Sequence, residues 1–132
     1  MYEIKSDGTL YAIYESDQPT KNKTNWYGDD KQFLQVARFC YDKDKNFKCH
    51  KHKTRQRISD LTQEAMMVIS GQLEASIYDN NKNLLDTVIL KAGNFIIVYA
   101  GCHAYKVLSD DTVFLEFKNG PFTTVEEDKD FV

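Results

Sequence analysis

Apolar and polar positions alternate in short blocks along this chain, and turn residues separate the blocks at roughly regular intervals. Residues 9–15 open with a short strand pattern. Residues 16–30 are polar and contain Pro19, Gly28 and the pair Asp29-Asp30, so they read as a loop, with Trp26 and Tyr27 folded back on the core. An apolar and aromatic run over 32–41 predicts a strand, and the charged residues 42–46 predict a turn. Further strands are predicted over 47–53, 63–70, 73–78, 84–90, 95–99, 103–108 and 112–118. Gly71, the polar stretch 79–83, Gly93, Gly101, Asp110-Asp111 and Gly120-Pro121 punctuate them. No long window repeats its apolar residues at helical spacing. The acidic stretch 126–130 is a frayed end or a short helix. Many short strands with polar turns predict an all-β sandwich or barrel.

Composition agrees with a packed domain. A chain of 132 residues with 42% hydrophobic and 13% aromatic residues fits one domain with one core. Eight Tyr and eight Phe suit strands. The formal net charge is −3, and the lysines at 43, 45, 48, 51 and 53 are interspersed with Asp42 and Asp44, which reads as a solvated hairpin. No nucleic-acid partner is expected from that balance. No apolar run has the length of a signal peptide or of a membrane span, so the expectation is a cytoplasmic chain with no membrane partner. Three cysteines, Cys40, Cys49 and Cys102, are an odd count and predict reduced thiols.

The chain has only three histidines. His50 and His52 stand two apart in a predicted strand, so both imidazoles point to one face. His103 opens a later strand. Glu64 lies in a third, in phase with Met66 and Val68, and faces the core if they do. Three imidazoles and a carboxylate are a fitting shell for one divalent transition metal, with positions left for water or a ligand. Cys49 and Cys102 are out of phase with the neighbouring histidines and should point away. Tyr105 shares the face of His103 and is a candidate acid or hydrogen-bond donor. Arg38, Arg55 and Arg57 are candidates to hold a carboxylate or phosphate.

These residues carry a resemblance. His50-Lys51-His52 followed by Glu64 and, after six intervening residues, Gly71 resembles the first motif of the cupins. The stretch from Gly93 through Phe95-Ile96-Ile97-Val98 to Gly101 and His103 resembles the second. Tyr99 stands where proline is usual, and the stretch from His52 to Glu64 is longer than typical, so Gln56 is an alternative to Glu64 as the oxygen ligand. The resemblance implies a double-stranded β-helix, a cupin jelly-roll barrel over about residues 32–120 with peripheral N-terminal strand and tail. It also implies a homodimer and an iron, manganese, nickel or zinc ion held by His50, His52, Glu64 and His103.

His50-Lys51-His52-Lys53 is also similar to a segment of sugar-nucleotide ketoisomerases, in which such histidines are proposed to move protons without a metal. The stretch 116–122 resembles the ending of small cupins of polysaccharide metabolism. The leading expectation is a metal-dependent isomerase or epimerase acting on a small polar metabolite such as a sugar or sugar nucleotide, with Tyr105, His50 and His52 as catalytic candidates. An iron-dependent dioxygenase and a non-catalytic small-ligand-binding module are the alternatives.

Overall fold

A computed structural model describes residues 1–131. Ten strands follow one another: β1 (Tyr2–Ser6), β2 (Thr9–Glu15), β3 (Lys23–Tyr27), β4 (Val36–Cys40), β5 (Glu64–Ser70), β6 (Gln72–Tyr78), β7 (Leu84–Lys91), β8 (Phe95–Val98), β9 (Cys102–Val107) and β10 (Val113–Lys118). A single helical turn, α1 (Val125–Asp128), comes last. All pairings are antiparallel. They form a five-stranded sheet in the order β1-β2-β8-β5-β10, a three-stranded sheet in the order β7-β6-β9, and a β3–β4 hairpin. The chain is therefore all-β, with sheets layered as in a β-sandwich.

Alternation explains the layers. On β5, Glu64, Met66 and Val68 face inward while Met67 and Ile69 face outward, as the burial alternation and the shared contacts of Met66 and Val68 require. The inner face of the large sheet supplies Ala12, Ile96 and Val98, and the small sheet answers with Leu73, Ala75, Ile77, Val88 and Leu90. Several of these are fully buried, each worth about 1.5–3 kcal/mol relative to exposure. A second cluster lies on the outer face of the large sheet. There Tyr27, Leu34 and Val36 from the hairpin and its loop cover Ile13, Ala65, Phe95 and Ile97.

Two glycines are required by geometry. Gly71, between β5 and β6, has φ +77°, and a side chain there would strike Thr112 and Ser109. Gly28 has φ +92°, and a side chain there would strike the Tyr99 hydroxyl.

Several sequence expectations are corrected. Residues 16–30 are not all loop, because β3 runs through them. On β3 Tyr27 is buried but its neighbour Trp26 is 68% exposed, since adjacent strand residues face opposite ways. The strand predicted over 32–41 shortens to β4. Residues 47–53 form no strand and belong to an unpaired, exposed stretch over 42–62. Within 47–53 Phe47 is the only large apolar residue, so nothing there forms an apolar face to bury. β1 was not anticipated, because Glu3 and Lys5 interrupt its apolar pattern. The other predicted strands match β2 and β5 to β10 within a residue or two. Among the described residues, no helix is long and apolar enough to cross a membrane.

Candidate functional site

Three inner-face residues converge between the two sheets. Register fixes them: Glu64 opens β5 opposite Lys118, and His103 and Tyr105 on β9 pair with Ile77 and Ala75 of β6. The start of β5 is pinned by the residue before it. Gln63 is buried, its amide N–H donates to Asn119 Oδ1 at 2.6 Å, and its side chain accepts from the Leu34 N–H at 2.9 Å and donates to Gln32 at 2.6 Å.

Here His103 Nε2 lies 2.9 Å from Glu64 Oε2. Glu64 is buried, and His103 is about a quarter exposed. The contact is close, yet Glu64 Oε2 accepts no hydrogen bond of good geometry. His103 Nδ1 and the Tyr105 hydroxyl are also buried with no partner in the protein. The Tyr105 ring leans against the His103 ring at 5.2 Å between centroids. The neighbouring imidazole holds the Glu64 carboxyl below its usual value of 4.5, against the opposing effect of burial. Burial, followed by the charges of Glu64 and Glu116, raises the Tyr105 hydroxyl well above the usual phenol value and keeps it protonated.

These groups line a cavity of about 730 Å³ together with Met66, Tyr78, Lys82 and Glu116. Residues 128–131 border it too, held by an ion pair of 2.7 Å between Lys118 and Asp128. Its size and its mix of apolar walls with few convergent polar groups suit a small molecule. Cys102 borders the cavity as well, where strand alternation predicted that it would point away. Sequence reasoning missed Glu116 and Lys129. The phase of β10 with β5 was the available signal for Glu116, whereas no periodicity marks a residue after a single helical turn.

The other two predicted ligands lie elsewhere. His50 and His52 are exposed on the unpaired stretch, with ring centroids 5.4 Å apart and His50 Nδ1 2.9 Å from the Lys48 carbonyl. Neither lines the cavity. Gln56, Arg55, Arg57 and Cys49 are exposed on the same stretch. Among the described residues, no group of three or more His, Cys, Asp or Glu side chains is arranged to hold a metal ion. Arg38 is committed to structure: its guanidinium donates to the carbonyls of Asp17 at 2.7 Å and Gly93 at 3.0 Å and sits over the Phe95 ring.

Glu64 and His103 nevertheless fit as two members of a metal shell. Ligands about 2.1 Å from an ion and about 90° apart stand about 3.0 Å from each other. The observed 2.9 Å between Nε2 and Oε2 is compatible with that spacing and equally with a direct imidazole–carboxylate contact.

The chain matches no protein-family model, no curated protein and no solved structure.

Proposed function

We propose that this chain is a metal-binding cupin whose cavity takes a small polar metabolite, such as a sugar or sugar nucleotide, for isomerisation or epimerisation. The observation that carries this reading is the contact of the buried Glu64 with the partly exposed His103, 2.9 Å apart on the wall of a cavity of about 730 Å³. In this reading the barrel is a double-stranded β-helix. The strand β9 lies at the edge of its sheet, and the stretch 42–62 is unpaired. Unstructured connections this long are uncommon in compact domains and are usually functional. The reading requires residues 47–53, unpaired in the structure, to pair along the free edge of β9, which would carry His50 and His52 to the side of Glu64 and His103.

The four residues would hold one iron, manganese, nickel or zinc ion, which supplies Lewis-acid polarisation of a ligand oxygen when bound. The chain's own residues do the rest. Tyr105, held protonated and without a partner, donates a hydrogen bond to an oxygen of the ligand or delivers its proton. Glu116 is a second carboxylate of the cavity wall and is suited to accept a hydroxyl or move a proton. Lys82 and Lys129 border the cavity and offer cations to a carboxylate or phosphate. The apolar walls from Met66 and Tyr78 limit water around the reacting centre.

A second reading keeps the cavity and dispenses with the ion. A carboxylate in direct contact with an imidazole also orients a histidine for proton transfer. Incubation with keto-sugar nucleotides in deuterated water tests both readings. Deuterium entering a carbon next to the carbonyl, slowed at least about tenfold in Tyr105→Phe, is the expected result. Loss of the exchange on chelation, with recovery on adding metal, selects the first reading; indifference to chelator selects the second. No exchange with any keto-sugar nucleotide contradicts both.

A further inference from the structure

The net charge of −3 conceals a segregation of charge along the chain. Residues 43–57 hold seven Lys and Arg and one acid, Asp44, whereas the rest of the chain holds ten Lys and Arg against nineteen Asp and Glu. The overall balance that predicts no nucleic-acid partner therefore does not describe this stretch. All of 43–57 is exposed, and among the described residues none of its cations forms an ion pair. Like charges crowded on one segment repel one another, and a polyanion relieves that repulsion.

The stretch begins on a row of exposed rings. The β3–β4 hairpin buries Tyr27 and Val36 against the large sheet and turns its other face to solvent. Trp26 and Phe39 share that outer face, because Phe39 pairs with Thr24, two residues from Trp26. Trp26 is 68% exposed, Phe39 55% and Phe47 52%. Phe47 folds back onto the hairpin, so ring centroids follow one another at 6.5, 5.7 and 5.3 Å from Trp26 through Phe39 and Phe47 to Tyr41. Lys45 Nζ lies 5.1 and 5.6 Å from the centres of the Tyr41 and Phe47 rings.

We propose that this face binds single-stranded nucleic acid, with bases stacked on Trp26, Phe39 and Phe47 and phosphates along the cations from Lys43 to Arg57. Aromatic faces accept any base by stacking, and a line of Lys and Arg neutralises a regularly charged backbone. A duplex keeps its bases inside and offers the rings nothing, and an acidic peptide brings charge without bases to stack. The site lies apart from the cavity: the hairpin covers the outer face of the large sheet, whereas Glu64, Met66 and Glu116 project from the inner face. Pairing of 47–53 along β9 would take Phe47 off the row, so metal loading and strand binding would compete, and the test is made in chelator.

Trp26 is the only tryptophan, so its fluorescence reports stacking directly. A labelled thymidine oligonucleotide of about fifteen residues should quench it on binding, with affinity followed by anisotropy of the label. The logarithm of the association constant should fall with the logarithm of salt concentration at a slope of about −3, as about four phosphate contacts require. A duplex of the same length should bind at least about tenfold more weakly. Trp26→Ala should weaken strand binding at least about fivefold and leave the slope unchanged. Lys51→Gln with Lys53→Gln and Arg55→Gln should flatten the slope by about two. Lys91→Gln, at an exposed position on the other sheet, should alter neither. No binding at low salt, a duplex bound as tightly as the strand, or a Trp26→Ala chain that binds like the natural one overturns the inference. Binding to phosphatidylserine vesicles with none to the strand overturns it in favour of a lipid surface.

Discussion

Removing His103 should reverse the pH dependence of stability that Glu64 contributes. Glu64 is buried, and the imidazole of His103 is the largest influence holding its carboxyl below 4.5, while burial acts in the other direction. A group with a depressed folded pKa adds stability above its unfolded value and loses that contribution as pH falls through the folded value. In the natural chain this contribution is therefore complete near pH 7 and fades on acidification below about 4.5. In His103→Ala, burial becomes the largest remaining influence, and the charges of Lys129 and Lys118 are the lesser opposing ones. The folded pKa then rises above the unfolded one, and Glu64 destabilises the variant at pH 7. Breaking one side of a buried pair costs about 3–5 kcal/mol, and the lower end applies here because His103 is partly exposed. Urea unfolding of the natural chain, His103→Ala, Glu64→Gln and the double variant measures this. His103→Ala should lose about 3 kcal/mol at pH 7, and should become relatively more stable between pH 7 and pH 5. The double variant should recover at least about 1 kcal/mol of that loss. Additive losses, or a His103→Ala chain whose relative stability falls on acidification over that interval, refute the coupling.

Three other positions give clear expectations. Tyr99 has a buried hydroxyl without a partner and a pKa pushed up to about 12 by burial, so Tyr99→Phe should be neutral or stabilise by up to about 1 kcal/mol in chemical denaturation. Gly28→Ala should destabilise by about 2–4 kcal/mol, from its positive φ and the collision with Tyr99, and Tyr99→Phe should rescue part of that loss. Asp128→Asn releases the Lys118 ion pair that holds the segment bordering the cavity, which should speed reaction of Cys102 with a thiol reagent a fewfold in a chain lacking Cys40 and Cys49. An unchanged rate means that the segment does not control access.

The strands from β5 to β10 were legible because each combines alternation or an apolar run with a Gly, Asn or Asp turn at its end, and the turn glycines Gly71, Gly93 and Gly101 all take positive φ. The phase of Glu64 with Met66 and Val68, and of Tyr105 with His103, placed these side chains inward before any contact was known. Periodicity is silent about which strand edges meet. For that reason 47–53 reads as a strand in the sequence although it pairs with none in the structure. Strand β3 was hidden because Asn25, Lys23 and Thr24 dilute its apolar pattern; the hairpin it forms with β4 gains its place by covering Ile13 and Ile97 with Tyr27 and Val36. The role of Arg38 was equally unreadable, since the carbonyls it satisfies belong to Asp17 and Gly93, far away in sequence.

Metal content per chain, measured by elemental mass spectrometry on the purified protein before and after reconstitution, tests the proposed site most directly. The proposal predicts close to one transition-metal ion per chain in the natural protein. It predicts loss of that ion in Glu64→Gln with His103→Ala, and equally in His50→Ala with His52→Ala, with the strand signature of the circular dichroism spectrum retained. An empty protein after reconstitution, or an ion that survives both double substitutions, would contradict it.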